Sequence, residues 1–183
     1  MRICAIDPGT EKSAFVWMNN DGPCTERGIL PNDDLLPLLR EYDTAGAVLA
    51  IEQVQSYGMP VGAEIFTSVL WAGRFIEAWG GDFLLVPRRA VKLHLCGSAR
   101  AKDGNVRQAI LDRFGGRKKA LGCKAQPGPL YGFKADLWAA LGVALTVYDG
   151  GAALCVGRLK SRTLFKETND APHAKKSISI PVL

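Results

Sequence analysis

The sequence predicts an α/β domain on a five-stranded mixed sheet, an antiparallel three-strand meander continued by two parallel strands, with helices flanking it. Three observations predict this class. Short apolar runs separated by turn residues come first, which is the pattern of hairpins. Two further apolar runs each follow a helical stretch, which calls for parallel strands joined by right-handed crossovers. With 183 residues, 48% hydrophobic and 22% charged, the chain has material for one ordinary core and too little length for two.

The first apolar run, residues 2–6, stops at Asp7-Pro8-Gly9 and reads as a buried strand closed by a turn. Residues 14–18 form a second strand, and Asn20-Asp21-Gly22 turns the chain into a third over 25–29. Pro31-Asn32-Asp33-Asp34 opens a helix to about Tyr42, with Leu35, Leu36, Leu38 and Leu39 as its apolar side. Gly46 precedes 47–51, an unbroken apolar run expected of a strand covered on both faces. A long helix over 60–79 places Ile65, Val69, Ala72 and Ile76 at helical spacing, and Gly80-Gly81 ends it before a strand over 83–86. Pro87 opens a short helix to about Leu95. After a loop over 97–103, a helix begins at Asp103 or Gly104 and runs to Phe114. Residues 115–129 read as a basic connector containing Gly and Pro. The last strong helix spans 135–149, with Leu137, Leu141 and Leu145 on one face. Residues 1–150 are therefore the expected domain, and 151–183, where periodicity fails, a C-terminal extension or tail.

No run approaches the roughly 18 apolar residues of a membrane span, and the opening MRICAIDPGT lacks the pattern of a secretory signal. The five cysteines form no CxxC pair, so reduced thiols and a cytoplasmic location are expected. Charge is divided unevenly. Residues 1–82 hold 5 Lys/Arg and 12 Asp/Glu, residues 83–134 hold 12 and 2, and residues 135–183 hold 6 and 4, for a total of +5. A basic middle beside an acidic first part suggests a surface that attracts a polyanion next to a carboxylate cluster.

Three carboxylates stand where a sheet gathers side chains. Asp7 closes the first strand, Glu52 closes the fourth, and Asp136 enters the final helix. An acid at the end of a buried strand is costly unless it is paired, hydrogen-bonded or on a cation. All-oxygen sets of this kind suit Mg²⁺ or Mn²⁺, and two such ions ~3.5–4 Å apart serve phosphodiester hydrolysis. Each acid alone also reads as a helix cap or surface ion pair; together, beside a basic segment, they favour metal-assisted phosphoryl chemistry.

Ala5-Ile6-Asp7-Pro8-Gly9-Thr10, Ala50-Ile51-Glu52-Gln53-Val54 and Asp136-Leu137-Trp138-Ala139-Ala140-Leu141-Gly142-Val143-Ala144-Leu145-Thr146 resemble the three signature blocks of the RuvC family of Holliday junction resolvases. The stretch Arg88-Arg89-Ala90-Val91-Lys92 through Gly97-Ser98-Ala99 to Asn105-Val106-Arg107 resembles the family's basic segment. The likeness covers about residues 2–149 in order. It implies an RNase H-like fold, two Mg²⁺ ions that Mn²⁺ replaces, a homodimer, and paired nicks in four-way DNA junctions. Asp7, Glu52 and Asp136 match three of the family's acids. Its second helical carboxylate falls on Ala139, which leaves Asp103, Glu11 and Asp149 as candidates for that ligand. The family's aromatic after the strand-four acid falls on Gln55, with Tyr57 or the Gly58-Met59-Pro60 loop as substitutes. These departures mark a divergent branch, with phage encoding and action at the nucleoid as expectations.

Arg88, Lys92, Arg100, Lys102, Arg107, Lys118 and Lys119, with Tyr57, are the expected DNA contacts, the basic ones through backbone phosphates. Lys102 is the preferred catalytic cation beside the acids, with Lys134 as the alternative, because Ala101-Lys102-Asp103 resembles the family's basic loop. Trp71, Trp79 and Trp138 read as core or dimer contacts, His94 as structural without an evident partner, and His173 as exposed. The helix over 60–79, with small residues at Gly62-Ala63 and Ala72-Gly73, is the expected dimer contact. Two other functions fit the same residues: a DNA-binding repair or architectural protein whose site has lapsed at Ala139, and a nuclease for RNA–DNA hybrids or other branched DNA.

Overall fold

The computed structural model describes residues 1–19, 22–42, 44–56, 58 and 60–158. Its strands are β1 (Arg2–Asp7), β2 (Lys12–Asn19), β3 (Gly22–Pro31), β4 (Ala47–Gln53), β5 (Asp82–Pro87) and β6 (Val156–Arg158). The helices are α1 (Asn32–Glu41), α2 (Ala63–Trp79), α3 (Arg88–Cys96), α4 (Asp103–Arg113), α5 (Arg117–Leu121) and α6 (Leu137–Tyr148), with a 3₁₀ turn at Gly151–Leu154. One mixed sheet runs β3-β2-β1-β4-β5-β6. The meander β3-β2-β1 is antiparallel, β1-β4 and β4-β5 are parallel, and β6 returns antiparallel to β5.

Two differences from the sequence reading are local. The sheet has a sixth strand, because β6, only three residues long, pairs with β5 across 83–85. A strand that short carries no readable alternation. The expected basic connector contains α5, whose Ala120 is buried and whose chain is tied back by Leu130 N–H donating to Ala120 O at 2.8 Å. The expected turn at Asn20-Asp21, together with Tyr57, Met59 and positions 159–183 of the expected C-terminal extension, His173 among them, lies outside the described residues.

Alternation along the strands divides the core into two layers. Ile3, Ala5, Val16, Val48, Ala50, Leu84 and Val86 face α3, α4 and α6. Cys4, Ile6, Phe15, Trp17, Leu49 and Ile51 face α1 and α2, meeting Leu35, Leu39, Phe75 and Trp79. Helix α6 is buried from Leu137 to Val147, so it has no polar face to show water. Its Gly142 permits a close crossing: a β-carbon there would stand 3.0 Å from Val91 Cγ1 on α3. The four cysteines whose side chains are described, Cys4, Cys96, Cys123 and Cys155, are free thiols. Among the described residues, no helix is long and apolar enough to cross a membrane.

Candidate carboxylate site

Register and alternation bring the first two acids together. Ile6 pairs with Ile51 across the parallel β1-β4 ladder, so Asp7 and Glu52 follow in step at the same end of neighbouring strands. Even-numbered Cys4 and Ile6 face the α1/α2 layer, as do odd-numbered Leu49 and Ile51. Asp7 and Glu52 therefore fall on the opposite face, toward α6. Asp136 arrives there at the head of α6, where its carbonyl accepts the first helical bond from Ala140 N–H at 3.0 Å. Its side chain makes no capping hydrogen bond, so the helix-cap reading fails. Ala135, just before it, has φ of 42°, a left-handed conformation that alanine adopts at a cost of ~1 kcal/mol or more.

The turn after Asp7 is held by a closed ring of hydrogen bonds. Gly9 N–H donates to Ser13 Oγ at 3.2 Å, the Ser13 hydroxyl donates to Asn32 Oδ1 at 2.6 Å, and Asn32 Nδ2 donates to Gly9 O at 3.1 Å. Ser13 and Asn32 are each 1% exposed, so their side-chain polar atoms need these partners. A β-carbon on Gly9 would lie 2.2 Å from Lys12 O, which excludes any other residue there. Sequence reading missed Ser13 and saw Asn32 only as part of a helix opening; the signal was their polarity inside otherwise buried elements.

Asp7, Glu52 and Asp136 line one open cavity of about 640 Å³ with Arg88, Asp103, Arg107, Trp138 and Ala139. Burial, then the charges of Glu52 and Asp136, push the Asp7 carboxyl up from 3.8 to about 8, against the pull of Arg88. Burial also raises Glu52, although Arg88 opposes it. Arg88 opens α3 two residues after Val86, which pairs with Glu52. From there Nη1 donates to Glu52 Oε2 at 2.8 Å while Nη2 lies 3.0 Å from Asp103 Oδ1. Lys92 Nζ stands 3.4 Å from the same Asp103 oxygen. Burial disfavours an ionised Asp103, but Arg88 and Lys92 outweigh it and hold its carboxyl below the ordinary value.

Of the three candidates for a further ligand, only Asp103 lines the cavity. Glu11 is exposed beyond β1. Asp149 terminates α6, the far end of a 12-residue helix about 18 Å long. There Arg113 donates to both its oxygens, and His94 Nε2 lies 2.9 Å from Oδ2, so His94 has the partner the sequence did not show. Three members of the basic segment, Arg88, Lys92 and Arg113, are thus ion-paired rather than free.

Apart from Lys102 and Tyr57, the expected DNA contacts separate into three places. Arg88, Lys92 and Arg100 line a basic concavity of about 420 Å³ with Arg89 and Ala99, adjoining the carboxylates through Arg88. Arg107 lies inside the carboxylate cavity, its guanidinium 4.7 Å from the Trp138 ring centroid. Lys118 and Lys119 line a separate cavity of about 730 Å³ with Gly122, Cys123 and Gln126. Lys102 is exposed at the N-cap of α4, just outside the carboxylate cavity; Arg88 holds the near-acid position assigned to it from sequence. Lys134 is exposed and does not line the cavity either. Trp79 is core, with Nε1 donating to Asp82 O at 3.0 Å, whereas Trp138 forms part of the cavity wall. Trp71 stacks on Phe75 beneath Arg74.

No family model matches the sequence, and no curated protein does. Solved structures do. The Thermus thermophilus RuvC structure matches with a TM-score of 0.58 at 16% identity, covering 86% of this chain and 100% of that one. A structure of T. thermophilus RuvC in complex with Holliday junction substrate matches at 0.58 and 15%, over 86% and 99%. The fold is RuvC-like. At that identity the chain is a divergent version of the RuvC fold.

The cavity's donor set fits a hard divalent cation in chemistry: its acids offer only carboxylate oxygens, and their mutual repulsion at Asp7 is what such a cation relieves. Among the described residues no three Asp, Glu, His or Cys side chains are closed up into a metal-holding set as they stand. Arg88 bridges Glu52 and Asp103 and supplies the counter-charge instead.

Proposed function

We propose that this protein is a divalent-metal-dependent endonuclease of branched DNA that nicks four-way junctions. The observation that supports it most is the convergence of Asp7, Glu52 and Asp136 on one cavity whose wall continues, through Arg88, into a concavity of arginines and a lysine. The RuvC-like fold supports the same reading, as does the Holliday junction substrate bound by the T. thermophilus protein.

Asp7, Glu52 and Asp136 would hold Mg²⁺ or Mn²⁺, with Asp103 as the further carboxylate in the same cavity as Ala139. Such ions supply activation of water and neutralisation of charge on the phosphodiester. The chain's own residues do the rest. Arg88, Lys92 and Arg100 bind backbone phosphates by charge-assisted hydrogen bonds and so fix the strand beside the acids. Arg107, braced on Trp138 in the carboxylate cavity, adds a further contact to the same strand. Lys102 contacts phosphate from the rim, and Lys118 and Lys119 hold a more distant part of the DNA. The Gly9–Ser13–Asn32 ring fixes the direction from which Asp7 enters the cavity.

A four-way junction is two-fold symmetric, so a homodimer presents two sites to opposed strands. Helix α2 is the contact we assign: Phe66, Val69 and Leu70 are 65%, 51% and 63% exposed and share one helix face. The test is direct. Purified protein is incubated with a synthetic junction, a fork, an RNA–DNA hybrid and plain duplex, each with Mg²⁺, Mn²⁺ or EDTA. Metal-dependent nicking of the junction in preference to duplex is expected, and Asp7→Asn should abolish it while sparing binding. A fully active Asp7→Asn protein removes the mechanism; preference for the hybrid or fork changes the substrate.

A further inference from the structure

Arg88 belongs to two concavities at once. It lines the carboxylate cavity, where it is bonded to Glu52 and Asp103, and it also lines the basic concavity with Arg89, Lys92 and Arg100. These two memberships compete. A guanidinium whose fork is spent on carboxylates has little left for a phosphate, and a Glu52 oxygen held at 2.8 Å by Nη1 is withheld from a metal ion.

We propose that Arg88 is a resident counter-ion for Glu52, exchanged on DNA binding: a backbone phosphate entering the basic concavity draws the guanidinium away, and Glu52 then becomes a ligand for the divalent ion. Metal and DNA therefore bind with positive coupling. The inference rests on the nuclease reading above and adds to it an order of assembly.

Three features support the exchange. The Glu52 side chain is only 13% exposed, so an ionised carboxylate there needs a cation at all times, either Arg88 or a metal. Asp103 is 70% exposed and keeps Lys92 at 3.4 Å, so Arg88 can leave it without stranding a buried charge. The phosphate destination is built from neighbours on the same helix and the following loop, Arg89, Lys92 and Arg100, so the guanidinium needs to turn rather than travel. Because the coupling is a difference in binding free energies, it is reciprocal: DNA raises metal affinity by the factor by which metal raises DNA affinity.

The experiment measures both sides of that link. Mn²⁺ binding to the free protein is read by electron paramagnetic resonance, and junction binding by fluorescence anisotropy with and without Ca²⁺. Wild type should bind Mn²⁺ weakly and hold the junction roughly tenfold tighter when Ca²⁺ is present. Arg88→Ala and the bulkier neutral Arg88→Gln should bind Mn²⁺ about tenfold tighter than wild type without DNA and lose the coupling. Arg88→Lys, which keeps a charge beside Glu52, should remain weak for Mn²⁺, and Arg89→Ala should weaken junction binding while retaining the coupling. Absence of coupling in wild type, which needs no variant, overturns the proposal, as do neutral variants no tighter for Mn²⁺. Protein that binds Mn²⁺ and nicks junctions yet shows no Arg88 effect fails this inference alone; protein that does neither fails the nuclease reading with it.

Discussion

Asp7→Asn should stabilise the metal-free protein, and the gain should grow with pH. Asp7 sits at the end of β1 with its carboxyl withdrawn from water and facing Glu52 and Asp136; burial first, and those charges second, move its titration from 3.8 to about 8. Between those values the folded chain binds a proton that the unfolded chain releases. Stability therefore falls as pH rises from about 4 to about 8 and levels off above that. At about 1.4 kcal/mol for each tenfold change in proton affinity, the displacement sets a ceiling near ~6 kcal/mol. Adjustment of the open cavity around the charge leaves about 2–3 kcal/mol as the expected penalty at high pH. Asparagine keeps the shape and removes the charge, so it should remove that slope. Urea unfolding in EDTA at pH 5, 7 and 9 measures it: the variant's advantage should be smallest at pH 5 and largest at pH 9, and Mn²⁺ should narrow the gap by stabilising wild type alone. A variant less stable than wild type at every pH, or a gap independent of pH, would refute the account of three acids gathered in one poorly solvated place.

Other perturbations test other parts of the site. Ala139→Asp adds a fourth carboxylate to the cavity wall and should cost about 1–3 kcal/mol in EDTA, recovered on adding Mn²⁺; thermal melts with and without the ion decide it, and nicking that arises only in this variant would favour a lapsed site in the natural chain. Asn32→Ala leaves the Ser13 hydroxyl and Gly9 carbonyl without their partner and should cost about 2 kcal/mol by chemical denaturation, with junction nicking reduced because the Asp7 turn loosens. Asp149→Asn removes the acceptor for Arg113 and His94 and should cost about 1 kcal/mol at pH 7. Burial works against the Asp149 charge, but those two partners hold its carboxyl below the ordinary 3.8, so this contribution is present at neutral pH and fades as pH falls below 4; the gap between variant and wild type should close in acid. Phe66→Arg with Leu70→Arg should leave the fold intact, and sedimentation should show a monomer where wild type sediments as a dimer.

What sequence could and could not show follows from how far each feature reaches along the chain. The meander, the long helices and the three acids announce themselves through local alternation, turn residues and helical spacing, and β1 and β4 each end in an acid at a legible place. The common face of Asp7 and Glu52 needs the pairing of Ile6 with Ile51, which no local pattern encodes. Arg88 was legible only as one more basic residue, because its grip on Glu52 depends on the β4-β5 register placing Val86 beside that acid. His94 and Arg113 likewise find Asp149 only when α3, α4 and α6 are packed together. Helix α5 and strand β6, five and three residues long, are too brief for periodicity and form because neighbouring elements complete them.

The direction of β6, the last strand among the described residues, sets where residue 158 stands relative to the acids. Because β6 runs against β5, Val156 lies beside Leu85 and Arg158 beside Phe83, so the last described residue stands at the strand-start end while the acids cluster where β1 and β4 finish. From Phe83 to Val86, level with Glu52, is about 10 Å of strand. At residue 158 the backbone thus stands at the opposite margin of the sheet from the cavity, so a label or immobilising linker joined at that position starts clear of the acids in single-molecule measurements on DNA.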